Sequence, residues 1–152
     1  MNYEVEIELD LPRDRVIELF DDPDNLAKWQ VGFVSMEHVS GEKGKSGAKS
    51  ALVYQMGKRR VEMVETILVR DLPEQFDATY DAKGVFNVVR NRFEDLGPNR
   101  TRWVSENEFR FGGFMKVIGV VMKSAFPKQS LKYMTDFKAF AEQGVDVRDA
   151  SS

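Results

Sequence analysis

The stretch from Phe33 to Phe111 constrains the fold most, because short β-rich runs follow one another there with little but turn chemistry between them. GEKGKSG (Gly41 to Gly47) separates the second and third strands of the chain, and Met56-Gly57-Lys58 makes a tight turn. Asp71-Leu72-Pro73, Asp81 to Gly84 and Leu96 to Asn99 end the next three runs. A parallel crossover needs a dozen or more residues, so linkers this short dictate an antiparallel meander of six consecutive strands. One more strand precedes them: Tyr3, Val5, Ile7 and Leu9 alternate with Glu4, Glu6, Glu8 and Asp10, which describes one buried and one wet face.

Two short helices are predicted after that first strand. Pro12 suits a first helical turn, with Val16, Leu19 and Phe20 following at three- and four-residue spacing, and Asp22-Pro23 repeats the start signal ahead of Leu26 and Trp29. At the other end lies FGGFMKVIGVVMKSAFPKQSLKYM, Phe111 to Met134, the greasiest part of the chain. A membrane span needs about 20 predominantly apolar residues, and Lys116, Lys123 and Lys128 interrupt this one too often. It reads as a long terminal helix that begins after Gly112-Gly113, is kinked or restarted at Pro127, and stops near Gly144. The expectation is α+β: a seven-stranded curved antiparallel sheet, two short helices after the first strand, and a long C-terminal helix packed across the sheet. Residues 1–144 form a single domain in this reading, and 145–152 a flexible tail.

Composition narrows function by exclusion. At 152 residues, 42% hydrophobic and 31% charged, the chain has material for one domain with a real core. A net charge of −3 makes nucleic acid a poor expectation. The absence of cysteine removes disulfides, thiolate catalysis and Cys-based zinc sites, and a single histidine, His38, cannot build a multi-histidine metal site. The acidic, alternating N-terminal run is unlike a signal or transit peptide, so a cytoplasmic protein is expected.

The order of elements, together with V-x-x-x-F-x-D-P-x-N-L-x-x-W (Val16, Phe20, Asp22, Pro23, Asn25, Leu26 and Trp29), resembles the helix-grip fold of the START-like, or SRPBCC, superfamily. GAKS (Gly47 to Ser50), the LPE turn (Leu72 to Glu74) and GPNRTRW (Gly97 to Trp103) add to the likeness, which covers nearly the whole chain. The resemblance implies a cavity between sheet and terminal helix and a small hydrophobic ligand, with transport, cyclisation, hydrolysis and chaperone assistance all represented among its members. Fold does not by itself hand over function.

The residues suggest how such a cavity is lined. On the sixth strand Val85, Asn87, Val89, Asn91 and Phe93 share one face, opposite Phe86, Val88, Arg90 and Arg92. On the seventh, Trp103, Ser105, Asn107, Phe109 and Phe111 lie opposite Arg102, Glu106, Glu108 and Arg110. With the arginines outward, neutral polar groups point inward, which suits a pocket holding water or an oxygen-bearing ligand; a bulge, or local bonding of the amides to backbone, is the competing explanation. On the fourth strand, Val61, Met63, Glu65, Ile67 and Val69 are favoured inside over Glu62, Val64, Thr66 and Leu68, making Glu65 a candidate buried acid. Tyr54 and Tyr80 point either inward or to a rim. The expected ligand-binding set is Tyr54, Met63, Tyr80, Asn87, Val89, Asn91, Ser105, Asn107 and Phe109, joined from the terminal helix by Phe114, Ile118, Met122, Phe126 and Met134.

No catalytic constellation stands out. There is no G-x-S-x-G elbow or HExxH, GEKGKSG lacks Walker spacing, and Asp21, Asp22 and Asp24 are explained by capping. No catalytic residue, cofactor or metal is therefore assigned. The leading expectation is a binder or carrier of a small hydrophobic molecule such as a lipid, fatty acid or polyketide-like compound. A polyketide cyclase or dehydratase is the first alternative, and a module docking on a partner protein or membrane surface the second.

Overall fold

The computed structural model describes residues 1–150 of the chain. β1 (Asn2–Leu9) is followed by α1 (Arg13–Phe20), a 3-10 turn (Pro23–Asn25) and α2 (Leu26–Trp29). The meander is β2 (Phe33–Ser40), β3 (Lys49–Met56), β4 (Arg59–Asp71), β5 (Gln75–Ala82), β6 (Val85–Gly97) and β7 (Arg100–Phe111). α3 (Met115–Val121), α4 (Ala125–Gln143) and α5 (Val147–Ala150) close the chain. All strands belong to one antiparallel sheet of order β1-β7-β6-β5-β4-β3-β2, so the first strand lies beside the last. Among the described residues no helix is long and apolar enough to cross a membrane.

Local chemistry accounts for the element ends. Asp22 Oδ1 accepts from the Asp24 N–H at 2.9 Å, and Pro23 occupies the first position of the turn it caps. α4 stops at Gly144, whose φ of 71° lets its N–H return to the Phe140 carbonyl at 2.8 Å. The restart of the terminal helix comes at Ala125 rather than at Pro127. The physical reason is that a proline is accommodated in the first turn, where its missing N–H has no intrahelical partner to lose. The predicted single rod is thus two helices, with α3 resting on β7: a Cβ on Gly119 would stand 2.7 Å from the Phe111 ring. Where a loose tail is expected from residue 145, Val147–Ala150 form a short helix against α2, and Ser151 and Ser152 lie outside the described residues.

The core is strongest where the short helices meet the sheet. Leu9, Val16, Trp29, Phe93, Trp103, Met134 and Phe137 form one buried cluster. Within it the Phe137 ring lies 5.1 Å from Trp29 and 5.4 Å from Trp103, and the partly buried Phe20 packs against it 5.0 Å from Phe93, mostly edge to face. Met134, expected at the ligand site, belongs to this cluster because its place one turn before Phe137 turns it the same way. β4 follows its predicted facing as far as Ile67; the register shift between Ile67 and Val69 then turns Val69 outward. Phe137→Ala is expected to lower unfolding free energy by about 3–5 kcal/mol, since it deletes a fully buried ring touching several others, as measured by the shift of a guanidinium unfolding curve.

Candidate functional site

Antiparallel register aligns residues of different strands into rows across the concave face. One row runs Ser50, Glu65, Tyr80, Asn87 and Phe109 from β3 to β7. The next contains Ile67, Ala78, Val89, Asn107 and Tyr3, and the one beyond it Phe76, Asn91, Ser105 and Val5. The amides of β6 and β7 therefore point inward, toward α4: Phe109 stacks on Tyr3 at 5.9 Å and meets Phe126 at 4.8 Å. The bulge that reverses part of β4 has no counterpart over the inward-facing stretch of β6, whose register shift falls after Asp95.

These polar groups pair with one another only in part. Tyr80 donates its hydroxyl to Glu65 Oε2 at 2.8 Å, and Tyr54 donates to Gln30 Oε1 at 2.7 Å. Trp103 Nε1–H donates to Asn91 Oδ1 at 2.9 Å, Asn107 Nδ2–H to Ser105 Oγ at 3.0 Å, and Asn87 Nδ2–H to the Glu108 carbonyl at 3.1 Å. That leaves Glu65 Oε1, Asn91 Nδ2, Asn87 Oδ1, Asn107 Oδ1 and Ser50 Oγ with no protein partner among the described residues. None of the five is among the fully enclosed atoms without a hydrogen bond, which among the described residues are Arg13 Nε, Trp29 Nε1, Asp77 Oδ1 and Arg92 Nη1. They border space that a water-sized molecule reaches.

Electrostatics on this face are one-sided. Burial raises the Glu65 carboxyl above its ordinary range, with the Tyr80 hydrogen bond opposing the shift. Burial likewise drives Tyr80 and Tyr54 upward, reinforced for both by the Glu65 charge, so both phenols stay protonated at neutral pH. Tyr133 of α4 is also raised by burial and stands close enough to Tyr54 to add to its shift. The inward rows carry no lysine or arginine to balance Glu65. Cations lie on the convex face instead, where Arg102 bonds to Glu8 and Glu94 and Arg92 faces Glu106.

Of the residues expected at the site, Tyr54, Met63, Tyr80, Asn87, Val89, Asn91, Ser105, Asn107 and Phe109 share the concave face, with Phe126 beside Phe109. Two do not join it. Phe114 is 77% exposed and Met122 48% exposed, because α3 turns Ile118 and Gly119 toward the sheet and leaves those side chains outside. Ile118 is half-buried. Ser50, Gln30 and Tyr133 stand outside the expected set: Ser50 sits in an alternating strand and Tyr133 at a core-facing position of the terminal helix, where the pattern could have been followed, but Gln30 enters only through tertiary packing. Beside the site, a cleft of about 460 Å³ opens between Phe109, Phe111 and Gly119, with Lys116 and Lys123 at its margin. A shallower opening of about 320 Å³ lies across Phe111, near Gly84 and Arg110.

A curved seven-stranded sheet holding a terminal helix, with a partly polar concave face, is the architecture of helix-grip proteins. The chain belongs to the polyketide cyclase/dehydrase and lipid transport family, whose profile matches residues 1–142. Solved structures agree on the fold. A START superfamily protein from Mycobacterium smegmatis aligns with a TM-score of 0.79 at 10% identity, over 93% of this chain and 97% of that one. The Zhui aromatase/cyclase of Streptomyces sp. R1128 aligns at 0.75 and 15% identity, over 94% of each chain. Norcoclaurine synthase from Thalictrum flavum aligns at 0.69 and 13% identity, again over 94% of each. At these identities the likeness shows the fold alone, and no curated protein sequence matches significantly.

Glu65 predicts a pH dependence. Its folded-state pKa lies above the unfolded one, so its contribution to stability is fully present below the ordinary carboxyl range and is lost as pH rises through the elevated value. Glu65→Gln removes that titration. In urea unfolding between pH 4 and 8, the stability of the wild type relative to Glu65→Gln is expected to decline as pH rises.

Proposed function

We propose that the concave face binds a small, largely apolar and uncharged molecule carrying oxygen groups, such as a neutral lipid or a polyketide-like compound. The observation that carries this reading is the set of inward polar atoms on β3, β4, β6 and β7 that have no protein partner yet are not sealed. A buried unpaired polar group costs about 1–3 kcal/mol, so five of them on a dry face would be heavily destabilising. Water or a ligand's carbonyl and hydroxyl groups satisfies them, while Val89, Met63 and Phe109 supply apolar contact. The lack of an inward cation argues against a carboxylate or phosphate head, which would meet Glu65 without a countercharge. This narrows the ligand away from ionised fatty acids. A cytoplasmic carrier is consistent with a cysteine-free chain.

One observation favours a second reading, a cyclase or dehydratase. A carboxyl whose proton affinity is raised by burial, hydrogen-bonded to a deep tyrosine, is a suitable group for exchanging a proton with a substrate oxygen. The family description and the name of the Streptomyces aromatase/cyclase agree with that chemistry.

Nile red, an uncharged carbonyl-bearing dye, tests the binding reading. Delipidated protein is expected to take it up with blue-shifted emission. Val89→Trp should weaken uptake by roughly tenfold or more through steric filling, with circular dichroism checking the fold. Methyl laurate should displace the dye roughly tenfold better than laurate at pH 8, because the carboxylate has no inward cation. No uptake, or better displacement by laurate, overturns the reading. For the enzymatic alternative, Glu65→Gln should lower turnover of a poly-β-ketone substrate by on the order of 100-fold or more while leaving Nile red binding intact.

A further inference from the structure

The outward face of α3 is apolar and uncovered. Phe114, Val117 and Val121 form a stripe at helical spacing with Val120 beside it, and Phe114, Val120 and Val121 are each more than three-quarters exposed. The opposite side is occupied: Gly119 lies on the Phe111 ring, and Met115 fills the position a Cβ on Gly84 would need. The helix is therefore held in place while presenting bare hydrocarbon.

Charge says what covers it. Between Phe109 and Thr135 there are five cations, Arg110, Lys116, Lys123, Lys128 and Lys132, and no acid, in a chain of net charge −3. Arg110 and Lys132 are satisfied by Glu108 and Asp136. Lys116, Lys123 and Lys128 are exposed and have no acidic partner among the described residues. Asp81, an acid of β5, lines the separate opening across Phe111, which includes none of these three lysines. An apolar stripe flanked by unpaired lysines fits an interface that is negatively charged on the outside and hydrocarbon beneath.

We propose that α3 docks the protein on an anionic lipid bilayer, inserting Phe114, Val117, Val120 and Val121 below headgroups that Lys116, Lys123 and Lys128 contact. Lys116, Lys123 and Val120 also border the 460 Å³ cleft beside Phe109 and Phe111, so docking brings that opening to the bilayer surface. The surface inference stands apart from the interior ligand, since it rests only on the outward side of α3.

The test is co-sedimentation of the full chain with vesicles of phosphatidylcholine alone or mixed with 30% phosphatidylserine (roughly the order of a cytoplasmic leaflet's anionic content). Binding is expected for the mixed vesicles and should fall with added salt. Lys116→Gln with Lys123→Gln should weaken the partition by on the order of thirtyfold, and Val120→Asp should abolish it. Val89→Trp should leave it unchanged, which separates failure of this inference from failure of the interior site. No binding to mixed vesicles, or binding indifferent to the α3 substitutions, overturns it. So does a concentration-dependent dimer that Val120→Asp dissolves, because a second copy then covers the face.

Discussion

The packing of the Phe20, Trp29, Phe93, Trp103 and Phe137 rings, mostly edge to face, is the interaction on which the rest of the molecule depends. These five rings come from α1, α2, β6, β7 and α4, so a single cluster fastens both short helices and the terminal helix to one end of the sheet. Because so much apolar area is gathered there, the remaining concave face need not be packed to the same density.

Polarity is distributed accordingly. The convex face holds the ion pairs of Glu6, Glu8, Glu94, Arg100 and Arg102, largely exposed and individually worth little. Their value is to keep guanidinium groups outside, so that the inner surface contains phenols, amides, hydroxyls and one carboxyl. The Trp103–Asn91 bond links the two regions: it satisfies the indole within the aromatic cluster and directs the other end of the amide toward the open part of the face.

The strand boundaries were legible because glycine, proline and aspartate punctuate them, and the inward facing of Asn87, Asn91, Ser105 and Asn107 because arginines occupy the alternate positions. The same logic failed at Val69, since a bulge leaves no trace in an alternating pattern. Phe114 and Met122 were misplaced for another reason. Hydrophobicity normally signals burial, and nothing in FMKVIGVVM distinguishes a stripe facing the sheet from one facing outward until the glycine against Phe111 settles which side is closed. Gln30 and Tyr133 reach Tyr54 only through packing between elements distant in sequence.

The pairing of β1 with β7 has a consequence for the order of assembly. Tyr3 meets Asn107 and Leu9 meets Thr101, so this strand has its hydrogen-bonding partner roughly a hundred residues further along the chain. Neighbouring hairpins close early at small entropic cost, whereas this outermost ladder must join ends roughly a hundred residues apart. During synthesis, Asn2–Leu9 therefore remains an unmatched ribbon with apolar residues on one side, and its alternating glutamates serve as protection against premature association until the carboxy-terminal strand arrives.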